Sequence, residues 1–121
     1  MNEDIIKSIV DYLISLLPEN WTNVILRDIS APGYYNIYFY VKVNGTYIQC
    51  FNLPKKYSIT MDELNSAFSK INKLCQQNQT TKKWRSYTLT LSSIGDFCID
   101  YEYEEPMEKI NGRRNTVSNK F

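Results

Sequence analysis

The sequence predicts a single α+β domain in which a mainly antiparallel sheet is covered on one face by helices. The chain has 121 residues, which is close to the commonest size of one domain. Hydrophobic residues make up 43% and charged residues 22%, as in ordinary globular proteins, and the aromatic content of 14% favours β-strands. Two segments with helical periodicity alternate with segments that have the period of two typical of strands. The predicted order is α-β-β-β-α-β-β.

The first predicted element is an amphipathic helix over residues 3–17. Its apolar residues recur at helical spacing: Ile5, Ile6, Ile9, Leu13, Leu16 and Leu17. Glu3 and Asp4 complement the dipole of the helix N-terminus, and Pro18 closes the pattern. An apolar run over residues 24–29 then predicts the first strand, which ends before an Ala-Pro-Gly turn.

A β-hairpin is predicted next, because apolar and polar or aromatic residues alternate up to a tight turn. The residues that share one side are Tyr35, Ile37, Phe39, Val41 and Val43. Asn44-Gly45 is a strong turn signal, since both residues tolerate the positive φ of a type I′ turn. The return strand is expected over residues 46–51.

The second predicted helix lies over residues 60–78. Thr60 and Glu63 have the spacing of a capping box. One apolar stripe follows them: Leu64, Ala67, Phe68, Ile71, Leu74 and Cys75. The polar run over residues 76–83 indicates the end of this helix and a linker.

Two further strands are predicted after that linker, around residues 87–91 and 97–104, because apolar and polar residues alternate in both. Gly95 suits the loop between them. Residues 1–105 are therefore expected to form one domain, and residues 106–121 a polar, basic C-terminal tail of the same domain.

Several classes of function are made improbable by what the composition lacks. The chain has no His, which excludes Ser-His-Asp and Cys-His triads, and none of its four glycines lies in a phosphate-binding motif. We expect no cofactor, no catalytic residues and no metal site. Three cysteines without paired spacing, and an acidic start instead of a secretory signal, favour the cytoplasm, and no segment is apolar enough to span a membrane.

One cluster of acidic residues nevertheless invites a functional interpretation. It consists of Asp96, Asp100, Glu102, Glu104, Glu105 and Glu108. On a strand, residues 100 and 104 would stand about 13 Å apart in a row, so these carboxylates would not converge on one ion. Three readings stay open: a solvated strand face, a protein-binding surface, and a metal-dependent nuclease or phosphodiesterase site. Tyrosines at 34, 38 and 40 raise a further alternative, a nucleic-acid-binding adaptor.

The segment Trp84-Arg-Ser-Tyr-Thr-Leu-Thr-Leu-Ser-Ser-Ile-Gly-Asp-Phe-Cys-Ile-Asp-Tyr-Glu-Tyr-Glu-Glu105 resembles the C-terminal signature of the YezG-like antitoxins, the EsaG-like immunity proteins. That signature has a Trp, a Leu-Thr-Leu strand, a Gly-x-Phe and an Ile-Asp-Tyr-x-Tyr followed by acidic residues. Earlier features fit in the same order, including Glu19-Asn20-Trp21 after the first helix.

This resemblance implies a non-enzymatic protein that binds and neutralises a cognate toxin, often a nuclease, in the producing cell. The implied partner is the toxin domain, with no direct contact to nucleic acid. The residues expected to bind it are Asp100, Tyr101, Glu102, Tyr103, Glu104 and Glu105. Two features depart from the family pattern: the tail is basic with few aromatic residues, and the net charge is +1 rather than strongly acidic.

Overall fold

The computed structural model describes residues 3–31, 34–78, 84–103 and 114–120. Within these ranges, three α-helices and six strands follow one another. The helices are α1 (Glu3–Ile14), α2 (Leu53–Lys56) and α3 (Met61–Asn78), and a 3₁₀ turn (Cys50–Asn52) precedes α2. The strands are β1 (Trp21–Ala31), β2 (Tyr34–Val43), β3 (Thr46–Gln49), β4 (Trp84–Ser92), β5 (Asp96–Tyr103) and β6 (Arg114–Lys120).

All six strands form one antiparallel sheet in the order β3-β2-β1-β4-β5-β6. The long strands β1 and β4 lie at its centre, where Leu26 is paired with both Phe39 and Leu89. Hairpins connect most neighbours, while α3 carries the chain from the β3 edge across to β4. The predicted α+β class, its element order and its antiparallel sheet are confirmed.

The core lies between one face of the sheet and the two long helices. Helix α1 buries its apolar stripe, and α3 buries Leu64, Phe68 and Ile71. The sheet contributes every second residue of its strands: Val24, Leu26, Ile37, Phe39, Val41, Leu89, Leu91, Phe97 and Ile99. Because strand side chains alternate between faces, all of these residues lie on one face of the sheet, and that face packs against the helices.

Three local predictions need correction. Helix α1 ends at Ile14 rather than at residue 17, and Leu16 and Leu17 form a turn that still packs on the core. Strand β3 is only four residues long, because Cys50 begins the 3₁₀ turn. The short helix α2 was not predicted at all, since its four residues are too few to show helical periodicity.

The turns and caps follow the sequence signals. Asn44 and Gly45 both have positive φ, at 52° and 81°, as a type I′ turn requires. At the start of α3, the Thr60 hydroxyl accepts a hydrogen bond from the Glu63 backbone N–H at 3.1 Å, and the Glu63 carboxylate accepts one from the Thr60 N–H. The predicted capping box is therefore present.

Within the C-terminal segment expected as a polar, basic tail of the same domain, Arg114–Lys120 forms strand β6, which was not predicted, along the edge of β5. Its polar sequence carries little period-two apolar signal, so the backbone pairing with β5 defines it. Among the residues that the structure describes, no helix has the length and apolar character that a membrane crossing requires.

Candidate functional site

The second face of the sheet is not covered by the helices, and it is here called the open face. Among the described side chains on this face of the first five strands, only Ser86 is buried. The partly or fully exposed side chains include Ile25, Arg27, Ile29, Tyr38, Tyr40, Lys42, Tyr47, Thr88, Thr90, Cys98, Asp100 and Glu102. These partly or fully exposed side chains lie on neighbouring strands, so they form one continuous surface. It divides into a polar half and an aromatic half.

A hydrogen-bonded network occupies the polar half. The Arg27 guanidinium donates to the Thr88 hydroxyl at 2.9 Å and to the Glu102 carboxylate at 2.8 Å. The Ser86 hydroxyl donates to the same Glu102 oxygen at 2.6 Å. Three strands, β1, β4 and β5, therefore hold one carboxylate in a fixed orientation.

Strand register explains this network. Arg27 is paired with Thr88, and Glu102 is paired with Ser86 one row further along the sheet. Arg27 reaches Glu102 diagonally across β4, a distance that long side chains can span on one face of a sheet. The ion pair is partly solvated, with side-chain exposures of 29% and 39%, so its contribution to stability is modest.

Tyrosines dominate the other half of the open face. Tyr38 and Tyr40 make an edge-to-face contact with centroids 6.1 Å apart, and the Lys42 ammonium lies 5.6 Å from the centre of the Tyr47 ring. Tyr40 and Tyr47 keep 38% and 47% of their surface exposed. Rings that are held by neighbours and still exposed are well suited to protein contacts, because they offer area at a low entropic cost.

The sequence-predicted binding residues fall into three groups. Asp100 and Glu102 lie on the open face, as the strand alternation predicted. Tyr101 points into the core with 4% exposure and packs against Tyr87 at 6.4 Å, so its ring supports the sheet from behind. Tyr103 is placed only by its backbone pairing with Trp84, and Glu104 and Glu105 lie outside the described residues.

Sequence reasoning missed Arg27 and Ser86, which orient Glu102. A signal for Arg27 was present, because it is the one cation of strand β1 and falls on the side away from Leu26. Its partner could not be identified from the sequence, since Glu102 is 75 residues away and the pairing depends on the order of the strands.

A second polar cluster lies inside the core beneath α3. The Cys75 sulfur is 3.7 Å from both the Asp28 carboxylate and the Tyr87 hydroxyl. Burial raises the pKa of Asp28 from 3.8 to about 6. Hydrogen bonds from Tyr87 and Cys75 have the opposite effect on this pKa, but they are weaker than the effect of burial. Burial, together with the charge of Asp28, raises the pKa of Cys75 to about 12. These groups are closed to solvent, so they bear on stability rather than on binding.

In the described part of the chain, no group of three or more Asp, Glu or Cys side chains is placed so that it could hold a metal ion. Asp100 and Glu102 stand in a row along β5 rather than facing each other across a cavity. What this arrangement offers is a broad, preorganised polar and aromatic surface.

Such a surface on a small α+β domain is characteristic of a protein-binding module. The chain belongs to the YezG-like family of immunity proteins, whose family model matches residues 3–118. It is 26% identical to the immunity protein YezG of Bacillus spizizenii, over 90% of this chain and 73% of that protein. It is 22% identical to the immunity protein YezG of Bacillus subtilis, over 85% of this chain and 74% of that protein.

Proposed function

We propose that this protein binds a cognate bacterial toxin in the cytoplasm and neutralises it through the open face of the sheet. Membership of an immunity-protein family supports the class of partner. The observation that carries the choice of surface is the network around Glu102, which orients a carboxylate on a face that no helix covers.

Preorganisation gives this network a use beyond stability. A carboxylate already held by Arg27 and Ser86 loses little conformational freedom when a partner docks. Asp100 lies on the same face of β5 and is, like Glu102, partly exposed, so a cationic partner that docks on this face would meet two carboxylates. The tyrosines at 38, 40 and 47 would supply apolar contact area beside this charged region.

We further infer that the toxin is a nuclease. A nuclease must present a positive surface to bind phosphates, and an acidic strand can occupy that surface in competition with the substrate. The described part of β5 carries three carboxylates, Asp96, Asp100 and Glu102, and Arg27 offsets part of the charge of Glu102. Glu104 and Glu105 follow in the sequence and would extend the acidic row. Tyr101 would act from the core side by supporting β5, and Tyr103 is the remaining candidate anchor.

The test uses a candidate toxin domain, which is first sought among the genes that neighbour the gene for this chain. Both proteins are purified, and toxin activity on plasmid DNA and on RNA is measured while this protein is added stoichiometrically. We expect complete loss of nuclease activity near one equivalent, and no cleavage by this protein alone in the presence of Mg²⁺. Undiminished toxin activity at excess would overturn the proposed function, and inhibition of a toxin with other chemistry would overturn only the nuclease assignment.

A further inference from the structure

At one edge of the sheet, a stretch of backbone has no neighbouring strand among the residues that the structure describes. Strand β3 pairs only with residues 40–43 of β2, because the chain turns away at Cys50. The first half of β2, residues 34–39, is therefore paired with β1 on one side and with no described strand on the other.

The direction of the backbone groups in this half of β2 follows from the hydrogen bonds around it. The Lys42 carbonyl accepts from the Thr22 hydroxyl, so Lys42 faces β1. Phe39 lies an odd number of residues before Lys42, so its N–H and C=O point to the opposite, outer side, where the β3 ladder would have continued. Because direction alternates along a strand, Tyr35 and Ile37 present their N–H and C=O groups to the same outer side as Phe39.

This edge lacks the features that usually prevent strand addition. Residues 34–41 contain no charged side chain, no proline and no described bulge, and Tyr35 is 39% exposed. An uncharged, aromatic edge with outward amides is a template for an additional strand. Strand β3 pairs only with the second half of β2, so its ladder leaves the backbone at Tyr35 and Ile37 without a strand partner on this side in the described structure.

We propose that the edge at Tyr35 and Ile37 accepts an extended, uncharged segment of the toxin as an additional β-strand. This inference rests on the proposed function, because it names how the same partner would be held. A strand added at this edge of β2 would lie next to Tyr38 and extend the open face. The toxin could then contact the edge and the open face in one continuous interface. A second copy of this chain is a poorer occupant, since pairing over about three residues falls far short of the roughly 1,200 Å² that stable dimers bury.

Hydrogen exchange measured by mass spectrometry or NMR tests the proposal on the intact protein. The chain is compared alone and with the purified candidate toxin domain. The amides of Tyr35 and Ile37 should exchange at least about tenfold more slowly in the complex. If the toxin binds and these two amides exchange at unchanged rates, the edge proposal is wrong while the proposed function stands. If the toxin does not bind at all, the proposed function fails first.

A matched pair of variants isolates the backbone contribution. Tyr35→Ala removes the ring and keeps the outward N–H, whereas Tyr35→Pro removes the N–H as well and places a ring in the path of an added strand. Relative to Tyr35→Ala, Tyr35→Pro should weaken toxin binding by about tenfold or more, with both variants folded by circular dichroism.

Equal affinity of the two variants would overturn the proposal. Protection of Tyr35 and Ile37 that appears without toxin, rises with protein concentration and accompanies dimerisation in sedimentation would also overturn it, in favour of a second copy. Should Tyr35→Pro fail to fold, the exchange measurement on the unaltered chain decides.

Discussion

The two faces of the same sheet use neighbouring residues for different purposes. Leu26 is fully buried under the helices, whereas the adjacent Ile25 and Arg27 lie on the open face. Among the described side chains, the covered face is mainly apolar and its one acid is Asp28, whereas the open face combines tyrosines, threonines and a strand-bridging ion pair. Two residues that are adjacent in a strand can therefore have different roles: one stabilises the core, and the next lies on the face that a partner could contact.

This difference implies that stability and binding can be changed separately. Substitutions on the covered face should lower the free energy of unfolding, because they leave cavities or unpaired polar groups in the core. Substitutions on the open face should leave folding nearly intact, since exposed positions seldom matter by more than about 0.5 kcal/mol.

The largest effect is expected for Leu26→Ala, with its neighbour Ile25→Ala as the matched control. Leu26 has no exposed surface, so the truncation should cost about 2–5 kcal/mol through lost burial and a residual cavity. Ile25 is partly exposed and should cost about 1 kcal/mol or less. Urea unfolding followed by circular dichroism measures both, and equal losses would abolish the distinction between the faces.

Asp28→Asn tests the one acid on the covered face. Because burial raises the pKa of Asp28 from 3.8 to about 6, the folded state binds the proton more tightly than the unfolded state. Protonation of Asp28 therefore favours the folded state. This contribution to the free energy of unfolding is fully present below about pH 4 and is lost as the pH rises through about 6. The shift corresponds to about 3 kcal/mol, taken as an upper estimate.

The measurement is urea unfolding of both proteins between pH 4 and pH 8. Since Asn cannot ionise, the variant should gain stability relative to the unaltered protein as pH rises, by up to that amount. A difference between the two proteins that is constant across this range would show that Asp28 does not titrate in the folded state as described.

A smaller effect is expected from the ion pair on the open face. A double-mutant cycle with Arg27→Met and Glu102→Gln should give a coupling of about 0.5–1 kcal/mol, because the pair is partly solvated. The Lys7–Glu3 pair on α1, with side-chain exposures of 52% and 60%, is the control and should couple by about 0.3 kcal/mol. Coupling that does not fall in high salt, or that is equal for both pairs, would contradict the network described here.

The covered face was largely predictable from the sequence, and the open face was not. Periodicity identified the buried residues of β2, β4 and α3, because burial imposes a regular pattern. The short helix α2 was not predicted, because four residues are too few to show a helical period. Strand β6 was not predicted either, because a polar edge strand has no alternating apolar residues that would indicate it.

The site was only half predictable for a related reason. Alternation correctly placed Asp100 and Glu102 on the side away from the core. The Arg27 contact to Glu102 depends on β1 lying next to β4, and that order is set by tertiary packing rather than by any local signal. Tyr101 illustrates the same limit, because an aromatic residue in an alternating strand suits a core and an interface equally well.

The most direct test of the central claim compares charge reversal on the two sides of the molecule. Asp100→Lys alters the open face, and Asp11→Lys alters an exposed position of α1 on the covered side. Both variants should unfold within about 0.5 kcal/mol of the unaltered protein. In isothermal titration against the candidate toxin domain, Asp100→Lys should lose at least about tenfold in affinity, and Asp11→Lys should bind as before. Loss of affinity by Asp11→Lys with unchanged binding by Asp100→Lys would show that the helical side, and not the open face, contacts the toxin.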